Sequence, residues 1–181
     1  MNKVLQTIAK VYTRITAGGA SFCMISLFSI IFFNSLRRYT IGKSLEFGEE
    51  LPVYIAIFGV MFGMAWAYMR DRHIRFTMLV GFLSDQMNRK LVLFVDLVMM
   101  VNGVLLTYSG WMFMLKRGRL ESSGLINLAR DLQKTTGWES LIQIGHMSTY
   151  QSAMIMGGML LTLAALLKFL LGISGSRDFS S

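Results

Sequence analysis

Four apolar stretches, each of about 19 to 25 residues, set the terms for this chain, because each is long enough to cross a hydrocarbon layer roughly 30 Å thick at about 1.5 Å per residue. They run over residues 16–36, 51–69, 91–115 and 150–171. A backbone N–H or C=O inside lipid has no water to bond, and a helix satisfies these groups within one segment. The expected fold is an all-α integral membrane protein with four transmembrane helices, organised as a single membrane domain over residues 1–181. Composition agrees, since 54% of residues are hydrophobic and only 15% charged, where a soluble domain carries about a quarter charged residues. With one proline in the whole chain, few helices are interrupted.

The segments between the apolar stretches are read by their patterning. In residues 3–15, Val4, Leu5, Ile8, Val11, Tyr12 and Ile15 recur at helical spacing, with Lys3, Lys10 and Arg14 largely opposite them. This fits a short interfacial amphipathic helix in the headgroup region, or else a polar extension of the first transmembrane helix. No A-x-A-like site follows the first apolar run; Asn34-Ser35-Leu36-Arg37-Arg38 comes next, so a retained signal anchor is expected. Residues 116–149 form one long connection. Leu120, Leu125, Ile126, Leu128 and Leu132 suggest an amphipathic helix, Thr135-Thr136-Gly137 a break, and Trp138 to Ile144 a second short piece. The connection is either a loop resting on headgroups or a surface offered to a soluble partner. Residues 172–181 read as a disordered Ser/Gly tail.

Charge and aromatic placement bear on orientation. The net charge of +8 sits in clusters flanking the apolar stretches, which suits orientation signals and anionic headgroups. No basic stripe separates from the membrane segments, so nucleic acid is a poor partner. With both termini cytoplasmic, ten of the 18 basic residues fall on that side, a small excess under the positive-inside rule. Tyr39, Trp66, Tyr68, Tyr108, Trp111 and Tyr150 sit near the span ends, where amphipathic rings favour the interface.

Few residues offer chemistry. Glu46, Glu49 and Glu50 share a face if helical, ahead of Pro52 in a first turn. Carboxylates there favour the helix N-terminus, or meet cations, with Arg37 and Arg38 as intrachain candidates. Asp96 is the one acid inside an apolar stretch, and such acids normally face protein rather than lipid. It shares a stripe with Gly103, Thr107 and Gly110; Gly59, Gly63 and Ala67 form another. Small-residue stripes let helices pack closely. Cys23 is the single cysteine, expected as a small buried hydrophobe. His73 and His146, the only two histidines, flank spans on opposite sides and should lie about 30 Å apart, too far to share one haem iron. No catalytic constellation, metal-ligand spacing or phosphate-cradling loop is present, and no cofactor is expected.

One local pattern is more specific. Basic residues close the first span, Glu49-Glu50-Leu51 opens the second, Gly59 and Gly63 follow within it, and an arginine-flanked His73-Ile74 closes it. The stretch from Arg37 to Leu79 resembles the small membrane subunit of tripartite ATP-independent periplasmic (TRAP) transporters, the DctQ-like family, and four helices in so short a chain agree. Thr77 departs from the pattern, standing near where that family often has an acid. The resemblance implies a bacterial inner-membrane scaffold subunit. A large elevator-type membrane subunit would hold the sodium and substrate sites, and a periplasmic binding protein would deliver an organic acid. By the same resemblance Glu49, Glu50, Arg70 and His73 are structural or subunit-contact groups. Arg37 and Arg38 join them as residues at the end of the first span, and Asp96, read from its own place in the third span, serves helix packing or else an ion pathway. Arg70, Arg72 and Arg75 are candidates for a phospholipid headgroup. The competing readings are a haem-bearing subunit of a respiratory enzyme and a free-standing small transporter.

Overall fold

The computed structural model describes residues 2–70, 85–120, 123–138, 142–143 and 145–174. Among them lie five α-helices and no strand: α1 (Asn2–Ile41), α2 (Glu50–Met69), α3 (Asp85–Arg117), α4 (Ser123–Thr136) and α5 (Met147–Ile173), with a 3-10 turn at Glu46–Gly48 before α2. Four of them, α1, α2, α3 and α5, are long and apolar enough to cross a membrane. The protein is an all-α membrane protein.

Residues 3–15 do not form a separate interfacial helix. They are the first part of α1, which runs for 40 residues without a break. At about 1.5 Å per residue α1 is roughly 60 Å long, twice the hydrocarbon thickness, so its polar first turns extend beyond the apolar span. Hydroxyls inside α1 bond to its own backbone: Thr13 to the Ala9 carbonyl, Thr16 to that of Tyr12 and Ser29 to that of Ile25. A polar side chain that folds back in this way carries no unsatisfied group into lipid. The helix ends where Gly42 takes φ +74° and its N–H bonds to the Arg38 carbonyl at 3.1 Å. That left-handed stop suits glycine and satisfies one of the last free carbonyls. The Asn34 side chain then accepts from the Leu45 N–H at 2.8 Å, holding the turn against α1.

α3 packs along α5, α5 along α2, and α2 along α1. The tightest seams follow small residues. Gly59 lies under Cys23, Gly19 under the Phe62 ring, Gly157 under Met61, and Gly110 against the backbone of Ile155. Cys23 is buried in this α1–α2 seam. The buried apolar centre is small, with Tyr68, Leu161, Ala164 and Ala165 at its heart. Elsewhere large side chains such as Phe22, Phe28, Phe33, Val101 and Leu105 face outward. An exposed surface of this kind belongs in lipid or against another membrane protein.

The described part of the connection after α3 packs as a cap on the bundle. α4 buries Leu125, Ile126 and Ala129 and lies against the 3-10 turn and α2. It stops at Gly137, with φ +73° and an N–H bonded to the Gln133 carbonyl at 2.8 Å. Met147 and Ser148 donate backbone bonds to the Leu120 and Gly118 carbonyls at 2.9 and 3.2 Å, tying the start of α5 to the end of α3. Most of the segment from Trp138 to Ile144 lies outside the described residues.

Candidate functional site

The costliest groups in an apolar span are charges, so the site is built from them. Asp96 on α3 is 1% exposed and Lys168 on α5 is 4% exposed. Burial this deep is tolerated only where the group has partners. Both are served by Tyr68 in the last turn of α2. The Tyr68 hydroxyl donates to Asp96 Oδ1 at 2.5 Å, and Lys168 Nζ donates to the Tyr68 backbone carbonyl at 2.7 Å. The ammonium also lies 4.7 Å from the centre of the Tyr68 ring, within cation–π range. The last four carbonyls of a helix lack intrahelical partners and carry the negative end of its dipole. A lysine from the neighbouring helix is therefore well matched to a carbonyl at that place. One tyrosine thus joins three helices, side chain to α3 and main chain to α5.

This arrangement corrects the reading of Tyr68 as an interfacial ring. It is buried, at 4% exposure, and points into the bundle. Lys168 was missed as a partner, although it stands inside the fourth apolar stretch as Asp96 stands inside the third. A second tie joins α1 to the same helix: the Tyr12 hydroxyl donates to the Leu160 carbonyl at 2.5 Å. At this end Arg89 also donates to the Gly172 carbonyl at 3.3 Å.

The opposite end carries the acids. Glu49 is exposed and precedes α2, and Glu50, half-buried, opens it. Arg37 and Arg38 are exposed on the last turns of α1, and the structure draws neither arginine into a described ion pair. Beneath them Tyr54 and Tyr150 stack at 3.9 Å between centroids, and the Tyr54 hydroxyl lies 3.3 Å from Met147 Sδ. His146 stands at the N-cap position of α5 at this end, without a side-chain capping bond. His73, Arg72 and Arg75 lie outside the described residues, so nothing is assigned to them; Arg70 is exposed just after α2. Of the two glycine stripes, Gly103 and Gly110 face α5, Gly59 faces α1, Gly63 meets open space and Ala67 is half-buried. Among the described residues no three His, Cys, Asp or Glu side chains gather as a metal would require.

The fold and site define an all-α membrane protein whose buried charges Asp96 and Lys168 bond to a phenol and a backbone carbonyl of the bundle itself. The family comparison narrows that class. Residues 27–175 match the family model described as tripartite ATP-independent periplasmic transporters, DctQ component. The chain belongs to this family and is a small membrane component of a TRAP transporter. No curated protein matches it.

Proposed function

We propose that this chain is a static scaffold subunit. In this reading it sits in the bacterial inner membrane with both termini cytoplasmic. It widens the frame against which a larger, elevator-type membrane subunit moves, during sodium-coupled uptake of an organic acid brought by a periplasmic binding protein. The observation that carries the reading is the Lys168–Tyr68–Asp96 connection. A transport site needs groups that exchange partners with an ion or solute, whereas here the Tyr68 phenol donates to the Asp96 carboxylate and the Lys168 ammonium to the Tyr68 helix-end carbonyl, and together they hold three helices. The long outward apolar faces of α1 and α3 suit contact with a larger membrane partner. Glu49, Glu50, Arg37 and Arg38 lie at one end as its polar contacts, and the fitted α4 cap offers the binding protein a rigid surface.

Reconstitution tests this. Liposomes carrying this chain with its large subunit, supplied with binding protein and a sodium gradient, accumulate solute. Liposomes carrying this chain alone accumulate none. Sodium-driven uptake by the isolated chain would overturn the scaffold reading in favour of a free-standing transporter, and a Soret band in the purified protein would overturn it in favour of a haem subunit.

A further inference from the structure

Where α1 begins and α2 and α5 end, the three helices leave a groove of about 540 Å³, in the size range of small-molecule sites, about 300–1,000 Å³. Four cations line it, from three helices: Lys10 and Arg14 on α1, Arg70 after α2, and Lys168 on α5. Lys10, Arg14 and Arg70 are exposed, while Lys168 is buried at its inner edge and bonded to the Tyr68 carbonyl. No carboxylate is among the described lining residues. Like charges brought together by folding repel, and an anion seated among them would offset that repulsion. The rest of the wall is apolar, from Ala17, Trp66, Met69 and Leu171. Trp66 lies beneath the Arg70 guanidinium, 5.9 Å from ring centre to carbon, which holds the charge over the groove.

We propose that this groove binds one anionic phospholipid, its phosphate among Lys10, Arg14 and Arg70 and its glycerol and upper acyl chain along Trp66, Met69 and Leu171. A soluble anion would use the cations and leave the apolar wall wet. A phospholipid uses both, and the groove lies at the end of the apolar spans, where headgroups are. The lipid would brace the start of α1 against α2 and α5, beside the Tyr68 connection. The inference rests on the chain spanning a membrane and not on its role in transport. Lipid retention with no support of uptake would sink only the scaffold reading.

The test uses the full chain in nanodiscs and native mass spectrometry in detergent, with phosphatidylglycerol, phosphatidylcholine and inorganic phosphate as separate probes. The wild-type chain retains phosphatidylglycerol, is stabilised by it against heating, and gains nothing comparable from phosphatidylcholine or phosphate. The double variant Arg14→Gln, Arg70→Gln loses on the order of 30-fold in affinity for phosphatidylglycerol, the effect of two charges at about 1 kcal/mol each. Lys116→Gln with Arg117→Gln, exposed at the far end of α3, leaves retention unchanged. Equal stabilisation by phosphate alone would mean a soluble-anion site and overturn the proposal. So would equal retention of phosphatidylcholine, or wild-type retention in the groove variant. Loss of the large subunit from the groove variant with phosphatidylglycerol still bound would make the occupant an acidic protein segment, and would overturn it too.

Discussion

Gly103 of α3 and Gly158 of α5 face each other so closely that a methyl group on either would meet the other's carbonyl oxygen, at 2.9 Å from Gly103 and 2.7 Å from Gly158. Those same two carbonyls accept hydroxyl bonds from Thr107 at 2.9 Å and Thr162 at 2.8 Å on their own helices. The contact is thus backbone against backbone, with polar groups satisfied within each helix. This suits a membrane interior, where helix association depends on close packing rather than on burial of apolar surface from water.

Gly103→Ala and Gly158→Ala should each destabilise the fold by about 1–3 kcal/mol, because behind the Thr162 and Thr107 hydroxyls the obstructing atoms are main-chain nitrogens and carbonyls that cannot swing away. Gly63→Ala, on a glycine with open space around it, should be neutral or slightly stabilising, since alanine is the better helix former. Thermal or denaturant unfolding in detergent distinguishes them. Equal effects at Gly63 and Gly103 would show that helix propensity rather than packing governs these sites.

Tyr68→Phe removes the hydroxyl that Asp96 accepts from and leaves a buried carboxyl short of a donor, at an expected cost of about 1–3 kcal/mol. Asp96→Leu in the Tyr68→Phe background should cost less than the two single changes added together, because the polar pair then leaves as a unit. A double-mutant cycle measures the coupling. Strict additivity would mean that the bond between these residues contributes nothing to stability.

Gly137→Ala places a side chain at φ +73°, where an L-residue pays about 1–2 kcal/mol. The expected result is fraying of the last turn of α4, read by faster amide exchange near Gln133, with the membrane helices unchanged. A global loss of stability would instead mean that the cap is part of the bundle's cooperative unit.

Glu49→Gln combined with Glu50→Gln should weaken assembly with the large subunit by on the order of tenfold or more if the carboxylates meet cations in a desolvated contact. The isolated chain should still fold, since Glu49 is exposed and the half-buried Glu50 keeps its hydrogen-bonding shape as glutamine. Co-purification and uptake provide the readout. Unchanged assembly would leave these acids only their favourable place at the start of α2.

Reading the chain without its structure recovered what depends on one segment at a time. Asp96 was legible as an acid that must face protein, because any charge in hydrocarbon is costly wherever its neighbours lie. Lys168 carried the same signal, a base inside the fourth apolar stretch, and pairing the two as the intramembrane charges of their spans would have flagged it. Nothing in the local sequence around Tyr68 separates an interfacial ring from a buried donor. That choice depends on which way α2 is rotated about its axis. The continuity of α1 was also open, since Lys3, Lys10 and Arg14 suit an interfacial helix as well as a polar extension.

The sequence by itself determined that four helices are long and apolar enough to span a membrane and where the apolar part of each lies, because lipid imposes its demand on every segment separately. Tertiary structure alone decided which helix faces which. It joined Tyr68 to Asp96 and Lys168, set Gly103 against Gly158, and brought Lys10 and Arg14 beside Arg70. Those pairings follow from the depth and rotation of whole helices, which are set by how their small and large residues interlock across seams that no single segment contains.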